Sequence, residues 1–414
     1  MVPRFPVALL LFVLVNVALA SFLVPTAKPQ LTLADVNLTP KILEEGKPSS
    51  WWLARTYLTS AKVPDIVVCG SSQIGGLQAA DANTSGKTID FVSNRRCLTL
   101  ENDLAKAFGQ TEVFLSALPG AMVSDHFAIS RALFRPAHQP ALLVLTVSPR
   151  DFIDNTLPSA GATDSYRFFS QYCDMSAYTG WAFHEPWSRF TYFISTELPL
   201  RSQLQVFNQV IEKLVQKLKE LDTASSANAS SSAGNLVSSV PASAAAASAA
   251  EQLKFVMGAY GGNLKPGQAV LTPNLPKIYV DNSLDYKHRY RDQYPVSYDV
   301  QFNFMRAFLS ELRQENIKVL VVGMPLTKNN RVLLSSGFWQ GFRARIAEEC
   351  QQNGAFYLDL SASSDFPITD FCDTVHLNAD GGAHLAEKIS DAIRSSAELR
   401  DALTGRLKSG SPTK

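Results

Sequence analysis

Cysteine is scarce in this chain. Its 414 residues hold only five, Cys69, Cys97, Cys173, Cys350 and Cys372, and no two form a C-x-x-C pair. That spacing argues against a zinc ribbon or a thioredoxin-like motif. It does not form a disulfide framework either, although one bridge stays open in an oxidising compartment. An excess of charge is also missing: 38 Lys and Arg stand against 37 Asp and Glu, a formal +1. Without a basic surplus, or a basic block beside aromatic residues, nucleic acid is not an expected partner. No residue pattern for a metal, nucleotide or redox cofactor occurs, so none is expected. What remains is an ordinary globular composition, 46% hydrophobic and 10% aromatic. The chain is long enough for one large core or two smaller ones.

A long apolar run occurs at the N-terminus. Residues 5–24, FPVALLLFVLVNVALASFLV, are broken only by Asn16 and Ser21. That length suffices to cross the hydrocarbon core as a helix, and Arg4 on the short leading side favours N-terminus in, body out. The triplet Ala18-Leu19-Ala20 offers a rival reading as a cleaved signal peptide. We favour an anchor over residues 1–24 because apolar residues continue past that site. Both readings place the rest of the chain outside the cytoplasm, in the periplasm or at the cell surface, and cleavage would make it secreted. Residues 25–62 read as a stalk and lead-in broken by Pro25, Pro29, Pro40 and Pro48, with Trp51-Trp52 starting the packed part or, as the rival reading, resting at the membrane interface.

From residue 63 onward, short apolar runs alternate with helical periodicity. Strands are expected at residues 66–69, 113–118, 141–147, 318–322 and 355–360. Helices are expected at 100–108, 122–133, 302–314, 337–352 and, closing the chain, 378–394. This alternation predicts a doubly wound, flavodoxin-like α/β fold with a five-stranded parallel sheet. A long insertion, residues 156–295, falls between the third and fourth strands. In such sheets ligands bind beyond the carboxyl ends of the strands, so the residues after each strand carry the functional question.

Gly70-Ser71-Ser72 follows the first strand, where a turn into a helix would expose the serine hydroxyl and leave its own N–H at a helix N-terminus. Pro119-Gly120 follows the second and Ser148-Pro149-Arg150-Asp151 the third. After the fifth comes Asp373-Thr374-Val375-His376. Each piece has a bland reading: Ser72 as a helix cap, His376 as a loop histidine. Their order, each after a strand, is what raises their weight. His126 and His384 fall in expected helices and read as structural. His138, His184 and His288 lack a partner pattern. Asp380 is explained by capping, and Asp370 has the wrong spacing from His376.

This block order resembles the SGNH (GDSL-like) hydrolase and acyltransferase superfamily over residues 65–154 and 319–393. The resemblance implies Ser72 as nucleophile, Gly120 as the oxyanion glycine, and Asp373 and His376 as the rest of a triad. Ser71 stands where the superfamily usually has Asp, as in its Gly-Ser-Ser branch. That branch includes the membrane-anchored D-alanine-transfer family of teichoic acid modification. A largely uncharacterised family with Ser-Pro-Arg-Asp-like third blocks is closer still. Arg150 stands where an oxyanion Asn is usual. It has three readings: an oxyanion donor, a holder of a substrate carboxylate or phosphate, or an ion pair with Asp151. Asn155 is too far along to replace the amide without a bend.

The insertion opens with Trp181, Phe183, Trp187, Phe190, Tyr192 and Phe193, read as packing over the core, with a membrane-facing or glycan-binding surface as the second reading. An amphipathic helix at 201–221 and an Ala/Ser-rich low-complexity loop at 223–250 follow. Placed there, the insertion is expected to govern substrate choice. The resemblance implies a serine esterase or O-acyltransferase acting on cell-envelope or exported glycan esters. Its anchor would set it beside a membrane acyl-donor protein. The alternative is a catalytically inactive binding or scaffolding subunit of an envelope assembly, for which Arg150 is the best support.

Overall fold

A computed structural model describes residues 14–15, 30–37, 47–136, 138–196, 264–275 and 277–409. The expected anchor (apart from Leu14 and Val15), the helix at 201–221 and the loop at 223–250 lie outside the described residues. Among the described residues no helix is long and apolar enough to cross a membrane.

Five parallel strands form the main sheet: β1 (Ile66–Gly70), β3 (Val113–Ala117), β4 (Leu142–Val147), β6 (Lys318–Gly323) and β7 (Phe356–Asp359). Their order is β3-β1-β4-β6-β7, the flavodoxin-like arrangement expected from the alternation. The register pairs Ile66 with Val113 on one side and with Leu142 on the other, and Leu142 in turn with Lys318. β1, β3 and β4 are buried along their whole length, which is why their sequences are continuous apolar runs rather than alternations.

Side chains on a strand point to opposite faces in turn, so one sheet splits its residues between two layers of helices. Ile66, Val68, Leu115, Val144 and Leu320 pack in one cluster with Leu77, Leu100, Leu385 and Ile389. Those partners come from the helices Gly75–Ser85, Leu98–Phe108 and Ala379–Ser395. The helix Val296–Gln314 packs against Val123–Leu133 and Ser336–Asn353 in an aromatic layer. There the Phe127 and Phe304 ring centroids lie 5.8 Å apart, and those of Phe152 and Phe302 lie 4.4 Å apart.

Several elements go beyond the sequence reading. The helix Gly75–Ser85 directly follows the serine turn. The helix Ala397–Ser409, not 378–394, is the last one described; it buries Leu399 and Leu403. A two-stranded antiparallel ribbon pairs β2 (Ile89–Asp90) with β5 (Val270–Leu271), binding the returning limb of the long β4–β6 region to the body. Trp51 is buried in the helix Ser49–Thr59, and the Arg55 guanidinium lies over both Trp51 and Trp52. Trp181 packs edge-on against Phe304. The helix Pro186–Thr196 falls in a separate compact unit, where Phe183 and Tyr192 contact each other; Trp187 and Phe190 are exposed, contrary to the expected packing over the core.

Candidate active site

The serine is delivered by a tight exit from β1. A Cβ on Gly70 would fall 2.1 Å from Thr146 Oγ1, so only glycine lets β1 end against β4 here. Ser71 stays extended and Ser72 opens a 3-10 turn, Ser72–Ile74, that runs into the helix Gly75–Ser85. The Ser72 amide thus sits at a helix N-terminus, where N–H groups lack intrahelical partners. That helix crosses Ala379–Ser395 at very short range. A Cβ on Gly382 would lie 1.8 Å from the Gly76 carbonyl oxygen, so this glycine lets two backbones meet.

The Asp–His loop is fastened just before Ala379–Ser395. Phe371 and Leu377 form an antiparallel bridge, and the Cys372 amide donates to the His376 carbonyl at 2.9 Å. The Asn378 side chain caps the helix by accepting from the Asp380 and Gly381 amides. Between these ties, Asp373 Oδ1 accepts from the Val375 and His376 amides, both at 2.8 Å. Its Oδ2 lies 2.6 Å from His376 Nδ1. His376 Nε2 lies 2.8 Å from Ser72 Oγ, across 304 residues of sequence. Asp373 and His376 are buried and Ser72 is half-buried. Asp370, the rival carboxylate, pairs instead with His384 Nδ1 at 2.7 Å.

Gly120 and Arg150 face the same space. Gly120 has φ +77°, a left-handed conformation that favours glycine, and a Cβ there would meet Arg150 Nη2 at 3.5 Å. Arg150 does form an ion pair, but chiefly with Asp154 rather than Asp151. Its Nε and Nη2 are each 3.0 Å from Asp154 Oδ2, whereas Nη1 stands 3.7 Å from Asp151 Oδ1. Nη1 also donates to the Ala121 carbonyl at 2.9 Å, which ties Arg150 to the glycine turn. Arg289 shares the same Asp154 oxygen. Burial pushes the Asp154 carboxyl up, but Arg150 and Arg289 outweigh it and hold it below the usual carboxylate range. Burial likewise lowers the Arg150 guanidinium, and Asp154 and Asp151 more than restore it. Asn155 replaces no amide in the site; its Nδ2 donates to the Arg289 and Asp292 carbonyls at 2.7 and 2.8 Å.

A cavity of about 290 Å³ opens over this cluster. Ser72, Gly120, Arg150 and His376 line it, together with Asn282, Asp285, Tyr286 and Arg289. The last four come from the helix Ser283–Arg289 and its leading residue, at positions i, i+3, i+4 and i+7, one face of a helix. The sequence reading did not single out any of them. The Tyr286 ring is buried. Apolar lining is limited to residues such as Leu157, Ala162 and Pro119, so the space suits a short, polar group. Among the described residues no three His, Cys, Asp or Glu side chains gather as metal ligands.

The arrangement has the parts of nucleophilic acyl chemistry: a hydroxyl on an imidazole, a carboxylate behind it, and a glycine turn beside it. Residues 278–393 match the DltD protein family. The match covers less than a third of the chain and takes in Asn282, Tyr286, Arg289, Asp373 and His376. Ser72, Gly120 and Arg150 lie before it. That family is the D-alanine transfer protein of teichoic acid modification. No curated protein matches the chain in sequence.

Proposed function

We propose that the protein is a serine-dependent O-acyltransferase of the cell envelope that moves a short acyl group through an acyl-enzyme onto a hydroxyl of an exported glycan. The observation that carries this reading is the unbroken line Ser72 Oγ–His376 Nε2–Asp373 Oδ2, with links of 2.8 and 2.6 Å. His376 Nε2 takes the Ser72 proton as Oγ attacks the ester carbonyl carbon of the donor. Asp373 accepts the Nδ1–H, so the ring keeps Nε2 toward the serine and its cation is stabilised. The tetrahedral oxyanion is met by the Ser72 and Gly120 backbone N–H groups, an effect worth about 3–4 kcal/mol per donor in related chemistry. Collapse breaks the donor C–O bond, and the leaving oxygen takes the proton from His376. An acceptor hydroxyl then gives its proton to His376 and attacks the acyl-Ser72 carbonyl, which restores free Ser72. Water in its place gives an esterase.

Arg150 fits beside this sequence as a cation fixed by Asp154. It lines the cavity beside Gly120, and its five N–H donors exceed its bonds to Ala121 and Asp154, which leaves it suited to meet an oxyanion or a substrate anion. The apolar segment 5–24 supports an envelope location beside a membrane acyl donor.

Labelling of the purified chain with a fluorophosphonate tests the reading, because only an activated serine reacts. Ser72→Ala and His376→Ala are each expected to abolish labelling. A folded wild-type chain that takes no label would overturn the proposal and favour a binding subunit.

A further inference from the structure

Behind the Ser72–His376–Asp373 line stands a fourth side chain that the acyl-transfer reading does not use. Asn282 Nδ2 donates to Asp373 Oδ2 at 3.0 Å, the same oxygen that faces His376 Nδ1. Its Oδ1 accepts the Thr374 amide at 3.1 Å and the Thr374 hydroxyl as well. Asn282 is buried, and 91 residues of sequence separate it from Asp373. Both ends of its amide are therefore spent on the loop that carries the acid and the base.

Asparagine is a favoured helix N-cap, and Asn282 occupies that position for Ser283–Arg289. Yet it makes no side-chain cap to its own helix; the amide turns away from Ser283–Arg289 to reach Asp373 and Thr374. The helix behind it is pinned at its far end, where Arg289 reaches Asp154 and Asn155 holds the Arg289 and Asp292 carbonyls. A short helix fixed at both ends is a rigid platform for a directed hydrogen bond. An apolar side chain here would leave Asp373 Oδ2 with one partner fewer and take from the Thr374 amide its acceptor.

We propose, resting on the acyl-transfer reading, that Asn282 is the positioning residue of this site: it holds the Asp373 carboxyl against His376 Nδ1 and thereby aims Nε2 at Ser72. The long β4–β6 region thus completes the catalytic machinery through its returning limb.

The test uses the full chain with two variants and two readouts. Asn282→Ala removes both contacts. Asn282→Asp keeps an acceptor for Thr374 but loses the amide donor to Asp373, so it separates positioning from mere loop anchoring. The readouts are the second-order rate of fluorophosphonate labelling and the downfield proton resonance of His376 Nδ1–H. Both variants are expected to label about 10- to 100-fold more slowly, the usual loss when a partner that orients a functional side chain is removed. Both are also expected to shift or broaden the Nδ1–H resonance. Wild-type rate and an unmoved resonance in either folded variant would overturn the proposal. Slow labelling by Asn282→Ala with normal Asn282→Asp would also overturn it, in favour of a structural tie to Thr374. If the wild-type chain takes no label, the acyl-transfer reading itself fails. The resonance then still decides whether Asn282 holds the Asp–His pair.

Discussion

Arg150 and Asp125 show how much of this site depends on charges outside the Ser72–His376–Asp373 line. Arg150 is packed between Asp154 and the Ala121 carbonyl. Removing it leaves Asp154 with Arg289 as its remaining cation. Breaking a buried ion pair typically costs about 3–5 kcal/mol, and the retained Arg289 places Arg150→Ala at the low end of that range in urea denaturation. Arg150→Lys keeps the charge but not the fork, so labelling of Ser72 should fall while stability changes less. Asp125 sits on the other side of the glycine turn, accepting from the Met122 amide at 2.6 Å and from the Thr163 hydroxyl. Burial pushes its carboxyl up to about 7, only partly offset by Thr163, Met122 and Arg150. The folded chain therefore holds this proton more tightly than the unfolded chain, and stability falls as pH rises from about 4 to about 7. Asp125→Asn should reduce the difference in unfolding free energy between pH 5 and pH 8; an undiminished difference would assign it to other groups.

The pair Gly75–Ser85 and Ala379–Ser395 joins the serine to the Asp–His loop. Gly382→Ala puts a methyl carbon where it would fall 1.8 Å from the Gly76 carbonyl, so the two helices must separate. Overpacking of this kind costs about 1–3 kcal/mol. A lower melting temperature should come with slower Ser72 labelling, because the separation also widens the Ser72–His376 gap. The same pair explains what could be read from sequence. Ser72, Asp373 and His376 were legible because each follows a strand whose apolar run is unmistakable. Gly75–Ser85 was not, because Gly75, Gly76, Asn83, Thr84 and Ser85 are weak helix formers, and packing rather than propensity holds them helical. Asn282, Asp285, Tyr286 and Arg289 were hidden for another reason. Their helix has seven residues, too few for a clear periodic signal, and its partners lie far away in sequence.

The five strands, their order and the long region between β4 and β6 follow the alternation of apolar runs, since parallel strands need crossovers and crossovers leave periodic traces. The aromatic layer around Phe304 and Phe308 is the part that composition alone could not arrange, because aromatic residues specify burial but not their neighbours. Phe308→Ala, in the middle of that layer, should cost about 3–5 kcal/mol in denaturation and leave the Ser72–His376 hydrogen bond in place. Its labelling rate, measured well below the melting temperature, should match the wild type.

Ser72 and His376 touch across 304 residues, and this separation sets an order of events during synthesis. Ser72 leaves the ribosome long before His376, and Asn282 emerges between them. A nascent chain carrying β1, β3 and β4 thus presents a serine with ordinary alcohol reactivity. On the acyl-transfer reading, reactivity is acquired when the helix Ala379–Ser395 settles onto Gly76, so labelling doubles as a report that this helix has docked.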